Sequence, residues 1–73
     1  MNVILPVFSM RLKELRQKSG LTQRNMGDLL GKTERHYQAI EAGTINVSAT
    51  MLIFLSQEFH VSVDYLLGLT DQP

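Results

Sequence analysis

Apolar residues recur at helical rather than strand spacing along nearly the whole chain, and five stretches carry the pattern of a helix with one buried side. The first runs from Ser9 to Ser19, with Ser9 as its N-cap, Leu12 and Leu15 inward and Gly20 as its stop. Met26, Leu29 and Leu30 form the second, opened by the Thr22 hydroxyl and closed by Gly31, with Arg24, Asn25 and Asp28 left outside. The third spans 33–42: Thr33 caps it, Tyr37 and Ile40 point to the core, and Gly43 terminates it. The fourth extends from about Ser48 to Phe59, with Ala49, Leu52, Leu55, Ser56 and Phe59 as the expected inward stripe. Met51, Ile53 and Phe54 lie off that stripe and leave this helix apolar over most of its circumference, unlike a lone surface helix. Ser62 caps a short fifth helix, in which Asp64 favours the positive end of the dipole and Gly68 is the stop.

The opening residues MNVILPVF read as an apolar, extended arm, because Pro6 disfavours helix at the residue before it. The pattern therefore predicts an all-α chain: an arm at 1–8, a compact five-helix domain at 9–69 and a tail at 70–73, with Leu21 plugging the gap between the first two helices. No internal repeat, low-complexity run or second domain is visible.

The segment 22–43, two short amphipathic patterns around Gly31, predicts a helix-turn-helix. Gly27 breaks a local rule within it, since glycine inside a helix costs about 1 kcal/mol relative to alanine. A steep helix crossing that leaves no room for a side chain near Tyr37 explains it; a tolerated surface glycine is the alternative. The third helix leaves Glu34, Arg35, Gln38 and Ala39 outward, and that set is the candidate functional surface.

With 73 residues and 44% hydrophobic content the chain makes one small domain of modest stability. It has no cysteine, which removes disulfides, thiol chemistry and cysteine-based zinc sites. The apolar run from Val3 to Phe8 is too short to span a bilayer and lacks a basic start, so a cytoplasmic protein is the default. A net charge of zero hides a strong polarity. Residues 1–35 hold all seven basic side chains against three acidic ones, a net +4, while residues 36–73 hold four acids and no base, a net −4. A basic side suits an approach to phosphates. A solvated first helix that binds nothing would account for Arg11 to Lys18, but not for Arg24, Lys32 and Arg35.

The motifs RLKELRQKSGLTQ, the turn at Gly31, IEAG from Ile40 to Gly43 and VSVDYLLG from Val61 to Gly68, in this order, resemble the lambda-repressor-like, Cro and xenobiotic-response-element type of DNA-binding domain over Phe8 to Asp71. The resemblance implies five helices, a prokaryotic or phage setting and operator binding, usually as a homodimer. It implies that Gln23 touches phosphate, that Glu34, Arg35, Gln38 and Ala39 face bases, and that Arg16 and Glu41 form a buried structural ion pair. Arg24, Lys32, Thr33 and the start of the third helix, with His36, complete the expected phosphate set. Two features depart from the family. The loop Thr44, Ile45, Asn46 has no cation where relatives often place one, and Glu34 is repelled by phosphates unless it accepts from cytosine N4.

The leading expectation is a sequence-specific transcriptional regulator, most simply a repressor, that reads the major groove of double-stranded DNA with helix 33–42. An interaction module or antitoxin that uses its greasy fourth helix and binds DNA weakly is the alternative. Catalysis is not expected: His36 and His60 are far apart, and no carboxylate pair stands at ligand spacing, so neither a metal site nor a cofactor is expected. A small-molecule ligand and membrane attachment are equally unexpected. The uncovered residues Val3, Ile4, Leu5, Met51 and Phe54 suggest a homodimer contact, unless the arm folds over Phe54 within its own chain.

Overall fold

The computed structural model describes residues 5–73. Val3 and Ile4, two of the residues expected at a dimer contact, lie outside the described residues. Five helices follow in order: α1 Pro6–Lys18, α2 Gln23–Leu30, α3 Glu34–Ala42, α4 Ala49–Phe59 and α5 Val63–Leu67. Among the described residues there is no strand, and no helix is long and apolar enough to cross a membrane.

Four of the five helices open on a hydroxyl. Thr22, Thr33, Ser48 and Ser62 each accept a hydrogen bond from the backbone N–H three residues on, that of Asn25, His36, Met51 and Tyr65 in turn. Each satisfies one of the donors that a helix start leaves free. The exception is α1, which begins three residues before the predicted Ser9. Pro6 occupies its first position, where a missing N–H costs nothing and the fixed φ is already helical. Leu5, the residue before Pro6, stands outside the helix at φ −110° and ψ 77°; Val7 and Phe8 are helical, and Ser9 sits inside the first turns. The arm is thereby shorter than its composition suggested.

Starting early lets Phe8 join Leu12 on one side of α1, and both enter a core with Met26, Tyr37, Ile40, Leu55 and Leu66. Each such side chain contributes roughly 1.5 to 3 kcal/mol through burial. Leu5, Leu15, Leu21, Leu30, Val47, Met51, Leu52, Phe59 and Val61 pack around it. Two expected inward residues face outward instead. Ala49 is exposed, because the buried stripe of α4 is centred on Leu55; Met51, one turn before Leu55, lies in line with it, whereas Ala49 falls on the flank. Leu29 is 39% exposed, beside the buried Met26 and half-buried Leu30, and looks across the open space between α2 and α4.

Candidate nucleic-acid interface

α2 and α3 form the most intimate helix pair in the molecule. Gly31, at φ 67°, turns the chain out of α2, and the Lys32 N–H returns 2.8 Å to the Gly27 carbonyl. A Cβ built at Gly27 would lie 2.9 Å from the Lys32 carbonyl oxygen and 3.1 Å from two atoms of Thr33. Gly27 is thus required by close approach, but its neighbour is the backbone of the turn and not Tyr37. The crossing angle of the two helices is set by main chain against main chain.

On that frame Glu34, Arg35 and Gln38 are exposed and Ala39 is half-buried, one helical turn apart on the same side of α3. Gln38 Nε2 donates to Gln23 Oε1 at 3.2 Å, tying the outward side of α3 to the first residue of α2. Arg24, Lys32, Thr33 and His36 are exposed around this surface, on α2, the turn and the start of α3. The Thr44 hydroxyl donates to the Ala39 carbonyl at 3.1 Å and finishes α3 with a neutral loop.

Behind the surface, Arg16 Nε donates to Glu41 Oε2 at 2.8 Å and its Nη2 to Oε1 at 3.0 Å, while its Nη1 donates to the Leu21 carbonyl at 2.9 Å. Burial alone would push the Glu41 carboxyl up. The Arg16 hydrogen bonds, the neighbouring Tyr37 hydroxyl, the Arg16 charge and Gln23 outweigh that only together, and hold it below the ordinary carboxylate range. Beside the pair, the Tyr37 hydroxyl is buried without a hydrogen bond among the described residues. Burial first, and the Glu41 carboxylate second, push its ionisation far above the usual range of a phenol. The neutral phenol is therefore the form present throughout the working pH range.

Two of the seven basic residues are thus removed from any phosphate count. Arg16 is spent on Glu41. Arg11, unassigned by sequence, donates to the carbonyls of Tyr65 and Thr70 and to Asp71 Oδ1 at 3.0 Å, and stacks 4.1 Å from the Tyr65 ring centroid. Its partners are more than fifty positions away, which no local pattern could have indicated. Leu5 and Phe54 are also kept apart. Leu5 lines a small cleft with Phe8, Ser9 and Gly43, whereas Met51 and Phe54 line a groove against α2.

Comparison with known proteins gives a consistent picture. The helix-turn-helix family model matches residues 12–66. The HTH-type transcriptional regulator YqaE of Bacillus subtilis is 44% identical over 61 residues, covering 84% of this chain and 53% of its own length. YobD, an HTH-type transcriptional regulator of the same organism, is 34% identical over 67 residues, 92% of this chain and 60% of its own. The HTH-type transcriptional regulator ImmR, also from Bacillus subtilis, is 38% identical over 58 residues, 80% of this chain and 46% of its own. The chain thus spans about half the length of these curated relatives. No solved structure matches it.

Proposed function

The chain belongs to the helix-turn-helix family, in its lambda-repressor-like branch, and from that premise we propose that it is a sequence-specific DNA-binding regulator of transcription in the cytoplasm. The observation that carries this is the side of α3 bearing Glu34, Arg35 and Gln38, exposed together on a helix whose position is fixed by main-chain contact at Gly27. In the major groove Arg35 would take guanine O6 and N7, Gln38 would take adenine N6 and N7, and Glu34 would accept from cytosine N4. Ala39 is small enough to admit a thymine methyl group. Gln23, Arg24, Lys32, Thr33 and His36 would hold phosphates on either side and set the register. Gln23, already bonded to Gln38, would couple the backbone grip to the base contact.

Occupying an operator that overlaps a promoter makes such a protein a repressor in the simplest case. Selection of bound sites from a random duplex pool, with affinity followed against salt, tests the proposal. A preferred sequence should emerge, and affinity for random duplex should fall steeply with salt as condensed cations are released. Recovery of no preferred sequence, together with salt-independent binding, would overturn it.

A further inference from the structure

α4 packs against α5 but is not closed against α2, and a groove with about 280 Å³ of space runs between them. Its apolar wall is Leu29 and Leu30 from α2 with Met51 and Phe54 from α4, and its polar end gathers Lys32, Ser48 and Thr50. The two helices are not neighbours in the chain, so no local pattern announces the groove. Leu29 is 39% and Phe54 37% exposed, which leaves the wall open to a molecule from solvent. Among the described residues Lys32 has no ion-pair partner. Ser48 Oγ accepts the Met51 N–H at 3.1 Å and keeps its own O–H free to donate. Beyond Leu29 the seam opens into a shallower depression lined by Asp28 and Glu58.

We propose that this groove binds a small, free amphiphilic anion: one short apolar chain that ends in a carboxylate. The charges choose both the class and the orientation. Every polar side chain in the groove can donate a hydrogen bond and its one charge is positive, so the carboxylate is held at Lys32 while the tail lies on Leu29, Met51 and Phe54. Asp28 and Glu58 repel an anionic head from the far end, and the start of α4 adds the positive end of its dipole beside Lys32. The space stands at the small end of ligand sites, which hold roughly 300 to 1,000 Å³, and so suits a single tail rather than a protein helix or a two-chain lipid. A regulatory consequence rests on the DNA-binding proposal. Lys32 is one of the side chains assigned there to phosphate, and a carboxylate that takes its N–H donors leaves the duplex one cation short. The anion is thereby an inducer that lowers DNA affinity without touching α3.

Titration of the full 73-residue chain with sodium octanoate, followed by amide and methyl NMR shifts without DNA, tests it. The shifts should centre on Leu29, Met51 and Phe54 and saturate with a Kd of about 0.1 to 1 mM. Acetate, which lacks the tail, and octan-1-ol, which lacks the charge, should each bind about fivefold more weakly or worse. Lys32→Gln should weaken octanoate about fivefold and leave octan-1-ol unchanged. Leu29→Glu, with helical circular dichroism retained, should abolish octanoate binding. In a second arm at matched ionic strength, saturating octanoate should lower wild-type affinity for random duplex about fivefold and leave that of Leu29→Glu unchanged. Shifts scattered over the surface, equal binding of octanoate and octan-1-ol, or octanoate binding indifferent to Lys32→Gln overturns the inference. So does a wild type that binds both octanoate and duplex, each without effect on the other. Because the first arm contains no DNA, its failure leaves the DNA-binding proposal standing, and failure of site selection leaves its result untouched.

Discussion

The Arg16 guanidinium grips both carboxylate oxygens of Glu41 from a position 25 residues away, with only 13% and 6% of the two side chains exposed. This joins α1 to the end of α3. Removing one partner strands the other in a site that water barely reaches.

Glu41→Ala is accordingly expected to destabilise the fold by about 3 to 5 kcal/mol, read as a fall in melting temperature. The pair also sets a pH limit. A carboxyl lowered in the folded state stabilises above its unfolded pKa of about 4.3 and loses that contribution as pH falls through the lower folded value. Glu41→Gln should flatten the acid limb of a stability-against-pH profile. An unchanged limb would mean that another carboxyl controls it.

Arg35 and Arg24 should behave differently on DNA. Arg35→Ala is expected to relax preference at one base position by about 1 to 3 kcal/mol. Arg24→Ala should weaken all sequences alike and reduce the salt slope by about one. Binding measured on the selected site, its single-base variants and random duplex separates the two effects.

Gly27→Ala should lower stability although alanine is the better helix former. The gain of about 1 kcal/mol in propensity is opposed by a Cβ 2.9 Å from a carbonyl oxygen of the turn, which has no side-chain freedom with which to yield. A net loss of about 1 to 2 kcal/mol is expected in denaturant unfolding. A more stable variant would show that the turn can move.

His60 ends α4 at φ 55°, ψ 43°, the left-handed conformation that α2, α3 and α5 reach with a glycine and so without a Cβ. His60→Gly should therefore stabilise the domain by about 1 kcal/mol. Thermal unfolding of the two proteins is the measurement.

What the sequence made readable was local. Thr22, Thr33, Ser48 and Ser62 announce helix starts because each cap hydroxyl accepts from an N–H only three residues on, and Gly31, Gly43 and Gly68 announce ends because glycine readily takes the left-handed conformation found there. The outward position of Glu34, Arg35 and Gln38 follows from helix periodicity once Tyr37 and Ile40 are buried. The phase of α4 was harder to read: with Met51, Leu52, Ile53, Phe54 and Leu55 all apolar, hydropathy cannot tell which side turns inward, and only contact with α5 and the core resolves it. Pro6 was misread because one residue both discourages helix behind it and initiates helix ahead of it. Arg11 could not be assigned because its cation is spent on backbone carbonyls near the far end of the chain.

The contact of Gly27 with the Lys32 carbonyl has one more consequence. Main chain pressed on main chain leaves α2 and α3 no independent hinge, so little conformational freedom remains to be lost on docking. Any misfit between this unyielding wedge and a groove must then be taken up by the duplex. Pyrimidine–purine steps, which kink and unstack at low energy, should be favoured at positions that no side chain touches, and stiff A-tracts disfavoured wherever the groove must widen.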